Sequence, residues 1–255
     1  MHGYTHDGEP RHYQATKKGA KNPTRPTNLR DIIAQTLLPS VSDYCKVVSA
    51  PGLERYKLLQ VAEQAYYRPP IADEEFEPWS QYILEKAGDD AGKAADLGTA
   101  IHEALENYYT GKEWDQAYAG YVYPTIDAIA RLGIKTTVAE VVLTNPEWGY
   151  AGTTDLPFTK DGAVGILDFK SRRTKPGEVV KPIETHPVQI AAYHMAAYGE
   201  IDDTALGYNV YISTTEVGRV EVVEYDAAAL RTAWEAFTHM LALWRWRTGY
   251  DPRVR

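Results

Sequence analysis

The stretch from Gly152 to Lys170, GTTDLPFTKDGAVGILDFK, constrains this chain more tightly than any other. Asp161-Gly162 is a hairpin-turn signal, because a two-residue type I′ turn needs positive φ at both central positions. With those residues as the turn, cross-strand partners have numbers summing to 323, and Asp155 falls opposite Asp168. Opposed residues share a face of the sheet, with Cβ atoms ~4.5–5.5 Å apart. Lys170, two residues past Asp168, joins that face. Two carboxylates held so close repel each other unless a cation lies between them. Mg²⁺ and Mn²⁺ are hard ions that prefer oxygen ligands. A lysine beside such an ion can help deprotonate a water or steady a developing negative charge. The plainer reading is an exposed hairpin with one Asp paired to Lys170. Val164, Gly165, Ile166, Leu167 and Phe169 weigh against it, because they mark a buried strand, where bare charges are costly.

A chain of 255 residues with 44% hydrophobic content suits one large domain, or one domain with an appended helical part. No apolar run approaches the ~20 residues of a membrane span, and the N-terminus lacks a signal-peptide pattern. A cytoplasmic protein is the default expectation. Cys45 is the single cysteine, which excludes an internal disulfide and any cysteine-rich zinc or iron–sulfur site. The net charge of −8 argues against a general nucleic-acid coat but leaves a nuclease open, since binding depends on where the charges lie. Basic residues gather in the first thirty positions and again at Arg172, Arg173 and Lys175, directly after the hairpin.

Residues 1–28 are polar, basic and rich in Pro, Gly and Lys, and read as a flexible arm. Residues 29–93 read as a helical N-terminal region. Its helices are expected over 29–38, over 53–67 with Leu53, Tyr56, Leu59, Val61 and Ala65 at helical spacing, and around 79–86; Ser40 or Ser42 caps a further one. The remaining core, 94–255, opens with a helix over 94–110, where Ile101, Leu105, Tyr108 and Tyr109 form an apolar stripe and His102 and Glu106 lie one turn apart. A lone helical His is ordinarily a plain surface or core residue. After a helix over 119–132 the period changes. Thr136–Leu143 reads as a strand containing Glu140, and Tyr150–Phe158 returns antiparallel to it. A four-residue loop between them puts Glu140 on the same side as Asp155; a partly exposed Glu is the competing reading. The loop over 171–187 is long for a compact domain and suits substrate contact. A helix over 187–198 carries Gln189 and Tyr193 on one face, which also fits a polar edge and a packed aromatic. Strands over 206–213 and 219–225 and a last helix capped by Asp226 complete the chain. The fold class is therefore α+β: a mixed central sheet with an antiparallel hairpin at its centre, flanked by helices. Phosphate-binding glycine loops, H-E-x-x-H and G-x-S-x-G are all absent from the sequence.

Five pieces stand in order: Gly98-x-x-x-His102, Glu140 on a strand, Gly152-x-x-Asp155, Asp168-Phe169-Lys170 and Gln189-x-x-x-Tyr193. The set resembles the PD-(D/E)XK nuclease superfamily with its restriction-endonuclease-like α/β core. Within it the His-bearing helix is similar to the RecB-type branch, which includes CRISPR adaptation nucleases and phage recombination exonucleases. The likeness covers roughly residues 94–200, and the 39–60 stretch looks like the N-terminal part of phage-encoded members. It implies His102, Asp155 and Asp168 as metal ligands, with the main-chain carbonyl of Phe169 as another. It implies Lys170 as the group that positions or activates the attacking water, and Gln189 and Tyr193 as groups that orient Lys170 and the phosphate backbone. Glu140 would bind a second metal or its waters. Ser171, Arg172, Arg173 and Lys175 would contact the DNA backbone. Some of the 19 Tyr and 6 Trp suit stacking on unpaired bases, though most suit a core.

The activity so implied is a Mg²⁺- or Mn²⁺-dependent deoxyribonuclease acting at DNA ends, in phage or bacterial recombination or repair. Its partners would be DNA and, in such a pathway, a single-strand annealing protein. It would use one or two metal ions and no iron–sulfur cluster. The competing functions are an endonuclease or RNA-acting nuclease of the same fold, and a module that binds DNA without cutting it.

Overall fold

The computed structural model describes residues 1–17, 20–48, 51–136 and 138–253, with side chains except at 90, 91 and 93–95. Its centre is a four-stranded mixed sheet in the order β10-β9-β8-β7. Strand β7 (Leu156–Lys160) pairs antiparallel with β8 (Ala163–Arg172), β8 pairs parallel with β9 (Leu206–Ser213), and β9 pairs antiparallel with β10 (Val220–Tyr225). The hairpin register follows the 323 rule, with Leu156 opposite Leu167 and Lys160 opposite Ala163. Asp161 (φ +51°) and Gly162 (φ +89°) both take the positive φ that the tight turn requires.

Alternation along β8 divides the core. Ile166 faces α6 (Thr185–Tyr198) and α7 (Ala227–Thr248), together with Tyr44, Tyr150, Ile190, Phe237 and Trp244. Leu167 and Phe169 face α4 (Phe76–Tyr109) and α5 (Ala119–Arg131), together with Ile101, Leu105, Val122, Val210 and Ile212. Both faces of the strand are therefore covered, which is why its sequence is nearly continuous in apolar residues. Full burial of a side chain such as Phe237 contributes ~2–3 kcal/mol. Helix ends follow local rules. Asp226 accepts from the Ala229 N–H to start α7, and Gly199 (φ +79°) ends α6 in the left-handed region.

Four expectations change. The first 28 residues are not an irregular arm where described; Lys18 and Gly19 lie outside the described residues. β1 (Gly3–Tyr4) pairs with β4 (Leu38–Pro39), β2 (Tyr13–Ala15) pairs with β3 (Thr24–Pro26), and the terminal ammonium donates to the Thr27 carbonyl at 2.7 Å. The helix expected over 29–38 stops early: α1 covers Leu29–Ala34, and α2 (Val41–Cys45) follows with Ser40 as its cap. Helix α3 (Pro51–Tyr67) forms as expected, yet none of its residues is buried, so the spacing from Leu53 to Ala65 does not mark a core face. The separate helices expected over 79–86 and 94–110 are one helix of 34 residues, and the boundary drawn at residue 93 falls inside it. Its Gly88 and Gly92 look like breaks but sit among good helix formers, and an isolated glycine costs only ~1 kcal/mol against alanine.

Candidate active site

Asp155 occupies a break in the sheet. The chain runs in β6 (Tyr150–Thr154) beside β5 (Val141–Asn145), then continues in β7 beside β8. At the step between these pairings Asp155 turns its carboxylate onto β8, where Oδ2 accepts the Phe169 N–H at 2.5 Å. The strand expected over 136–143 begins only at Val141, and Thr137 lies outside the described residues. Glu140, just before that strand, holds φ +52°, a region that strains a non-glycine residue. Its N–H still donates to the Asp155 carbonyl at 2.9 Å, and the four-residue loop between Asn145 and Tyr150 keeps Glu140 level with Asp155. The Glu140 carboxyl lies close enough to that of Asp155 for each to shift the other's ionisation.

Asp168 and Lys170 lie on the α6 face of β8. Asp168 is 4% exposed and forms an ion pair with Lys170. Lys170 Nζ also donates to Gln189 Oε1 (2.9 Å), and Gln189 Nε2 donates to the Tyr193 hydroxyl (3.0 Å). A continuous chain thus runs from Asp168 through Lys170 and Gln189 to Tyr193. Burial raises the Asp155 carboxyl well above the usual carboxylate range, and the nearby Asp168 charge adds to this. Glu140 is raised too, first by burial and then by the charge of Glu106. The Tyr193 phenol is raised by burial.

His102 reaches the site from α4, with its ring edge-on to Phe169 at 6.1 Å between centroids. Burial lowers its pKa, while the Asp168 charge works in the opposite direction. A neutral imidazole is the form that binds metal. Among the described residues no three His, Cys, Asp or Glu side chains close around one point as a ready metal cage. In this arrangement Asp168 is turned to Lys170 and Asp155 to the Phe169 N–H. The donor chemistry nevertheless fits a hard divalent ion: the buried carboxyl of Asp168, the half-buried carboxyls of Asp155 and Glu140, and a neutral imidazole. A cation there would relieve the repulsion that now lifts Asp155.

Two glycines set the distances. At Gly98 an added Cβ would collide with Ser171 Oγ, so glycine lets α4 approach the end of β8. This also shows that Ser171 faces α4, away from Lys170. At Gly152 an added Cβ would lie 2.7 Å from Tyr193 Cε1 and 3.1 Å from its hydroxyl. Tyr193 is fully enclosed and cannot step aside. Gly152→Ala should therefore displace the tyrosine, cost ~1–3 kcal/mol by overpacking, and cut activity along with stability. Urea melts and cleavage rates measured side by side check this; a variant as stable and active as the parent would show that Tyr193 is free to move.

Several residues at the site escaped the sequence reading. Asn209, fully buried on β9, donates to Asp168 Oδ2 (3.2 Å), and the Tyr225 hydroxyl donates to Asn209 Oδ1 (3.0 Å). A buried Asn between Tyr208 and Val210 was the available signal, since such a group needs a polar partner. His186 shares a 2.7 Å hydrogen bond between Nδ1 and the Tyr211 hydroxyl. Burial, then the Lys170 charge, brings its pKa down to about 4. Glu106 enters through its charge on Glu140, and Tyr4 through a 3.1 Å hydrogen bond to Thr153. Of the expected DNA contacts, Arg172 lies 5.8 Å over the Tyr211 ring and donates to the Lys181 carbonyl (2.8 Å), while Arg173 and Lys175 are exposed.

No known protein family matches the chain, and no curated protein sequence does either. Among solved structures it is similar to the protein SSO0001, with 16% identity, 74% of this chain and 86% of that chain covered, and a TM-score of 0.32. It is also similar to a candidate exonuclease from Eubacterium rectale, with 13% identity, 92% and 87% coverage, and a TM-score of 0.42. At these scores neither neighbour says what this chain does. The fold is α+β, with helices on both faces of a mixed sheet, and no helix among the described residues is long and apolar enough to cross a membrane.

Proposed function

We propose that this chain is a metal-dependent nuclease of the PD-(D/E)XK type, acting as an exonuclease on DNA ends. The observation that carries the reading is the chain Asp168–Lys170–Gln189–Tyr193 lying beside the paired carboxyls of Asp155 and Glu140. Residues far apart in sequence meet here as one cation, Lys170, next to three acids that it neutralises only in part. A merely structural ion pair would not need two further half-buried carboxyls at its side.

In this reading Asp155, Asp168, His102 and the Phe169 carbonyl would hold a Mg²⁺ or Mn²⁺ ion, with Glu140 serving a second ion or its waters. Such an ion neutralises charge on a phosphoryl oxygen and makes water a stronger acid. Lys170 Nζ, fixed by Gln189 Oε1, positions the attacking water and balances the negative charge that builds on the phosphate. Tyr193 holds the amide of Gln189 so that its oxygen faces Lys170. Asn209 holds the Asp168 carboxylate. Arg172, Arg173 and Lys175 attract the nucleic-acid backbone, a contact that is independent of sequence and sensitive to salt. Ser171, turned toward α4, spaces the helix from the strand rather than contacting phosphate. A place in phage or bacterial recombination, with a single-strand annealing partner, follows from the same reading.

The test is incubation of end-labelled linear DNA and closed circular DNA with Mg²⁺, Mn²⁺ or EDTA, wild type beside Asp168→Ala. Loss of linear DNA alone, abolished by EDTA and by the variant, is expected. Nicking of the circle would make the protein an endonuclease. An inert wild type under every condition would overturn the nuclease reading.

A further inference from the structure

Helix α3 has a purpose other than completing the core, since none of its residues is buried. One of its edges carries Tyr56, Gln60 and Glu63, spaced i, i+4 and i+7. That edge forms one wall of a cleft of about 420 Å³. The facing wall is the segment that leaves β8, with Arg172, Arg173, Lys175 and Val179. The cleft therefore begins two residues along the strand from Lys170.

The facing wall is held in place from behind. Arg219 donates to the Lys175 carbonyl (2.8 Å) and to the Glu178 carbonyl while pairing with Glu216 and Glu221. Thr215 Oγ1 donates to the Thr174 carbonyl (2.7 Å), and the Thr174 N–H donates back to Thr215 Oγ1 (3.0 Å). The acids behind the segment are thus spent on Arg219. Within the cleft, Glu178 lies 3.8 Å from Lys175, both at the surface, and Glu63 faces them from α3. Three cations against two acids leave a net positive lining, and Arg173 makes no ion pair among the described residues.

The lining is mixed in character. Tyr56 is half-buried, and Val179 is 78% exposed at the rim. Duplex DNA presents phosphates and groove edges to a surface, and has no use for an aromatic face. A single strand offers both phosphates for Arg173 and Lys175 and a free base for Tyr56 and Val179. We infer that the cleft between α3 and residues 172–180 is a binding site for single-stranded DNA, which leads one strand to Lys170 with a base stacked on Tyr56. This rests on the nuclease reading above and adds strand preference to it: an end must be frayed or overhanging before it is cut.

The test is binding by fluorescence anisotropy with the full chain in EDTA, using a labelled oligonucleotide of about 16 nucleotides and the blunt duplex of the same sequence. The single strand should bind about tenfold more tightly than the duplex, and Tyr56→Ala should remove most of that advantage, the loss expected for one stacked base. Tyr56→Phe should keep it, because it keeps the ring. Arg173→Ala should weaken both ligands and flatten the salt dependence. Equal binding of the two ligands, or an unchanged single-strand affinity in Tyr56→Ala, overturns the inference. If linear DNA is still degraded in Mg²⁺ in that case, the nuclease reading stands and only the cleft assignment falls. If DNA is neither bound nor cut, both fall.

Discussion

Lys170→Ala is expected to slow cleavage of linear DNA by at least ~10³-fold, because one change removes both the group that positions water and a charge facing the phosphate. The same change should lower stability in EDTA. Asp168 is almost fully buried, its side chain 5% exposed, and it would lose the one ion-pair partner it has among the described residues. Breaking a fully buried pair costs ~3–5 kcal/mol. Lys170 retains 20% of its side-chain exposure, and Asn209 still donates to Asp168, so the expected loss is smaller, about 2 kcal/mol. Lys170→Arg should not restore cleavage. A guanidinium is wider than an ammonium and cannot sit between Asp168 and the Gln189 oxygen in the same geometry. Single-turnover rates on end-labelled DNA, read beside urea melts in EDTA, separate the two effects. Activity near the wild-type level in Lys170→Ala would remove this residue from the chemistry.

The elements that were legible in the sequence are those whose signal is local. A two-residue turn fixes its own register, so Asp161-Gly162 placed the partners from Leu156 opposite Leu167 to Lys160 opposite Ala163, though the ladder stops one pair short of the expected Asp155 opposite Asp168; Asp226 and Ser40 announced the helices they cap. What could not be read depended on partners distant in sequence. Helix α3 shows helical spacing of apolar residues, but spacing says only which residues share a face, and here that face lacks a core to meet. The N-terminal stretch looks like an arm by composition. Its strands are two or three residues long, and they are held by Leu38–Pro39 and by each other rather than by any periodic pattern.

The site divides in the same way. The hairpin turn put Asp155, Asp168 and Lys170 on one face; helical spacing put Gln189 and Tyr193 on one face of their helix, and only the family resemblance turned that face toward them. The break at Asp155 was not visible, because the sequence from Tyr150 to Phe158 reads as one strand. That break is what allows Asp155 to hydrogen-bond across to Phe169 and Glu140 to lie alongside. Asn209 and His186 were missed because each acts through a neighbour, Asp168 in one case and Tyr211 in the other. A polar residue in an apolar strand signals that a partner exists without naming it. In the sequence Gly152 is only the first residue of Gly152-x-x-Asp155. Its role is steric, and it emerges once Tyr193 is seen to press against it.

Asp155→Asn should abolish cleavage and at the same time make the metal-free protein more stable at neutral pH. Burial and the Asp168 charge raise the folded-state pKa of Asp155 above its unfolded value. The folded state therefore binds this proton more tightly than the unfolded state does, and stability falls as pH rises from the unfolded carboxylate range, ~4, through the folded value. Asparagine has no proton to lose. Its amide oxygen can still accept the Phe169 N–H, and its amide nitrogen can donate to Glu140, so the local hydrogen bonds survive. The gain is expected near pH 7.5, read as a higher melting temperature of the variant in EDTA. The gain should shrink toward zero as pH falls below ~4, where the wild-type carboxyl is protonated in both states. Adding Mg²⁺ or Mn²⁺ should reverse the ranking. The wild type should be stabilised in proportion to metal occupancy, whereas the variant, having lost a charged ligand, should shift little. Thermal melts across pH, with and without metal, decide the matter. A variant less stable than the wild type at neutral pH, or one that keeps the full metal shift, would mean that Asp155 is a structural acid and that an ion, if bound, is held elsewhere. The expected pattern would instead show a carboxylate kept in place at a cost to the metal-free fold, which is the behaviour of a group retained for its chemistry.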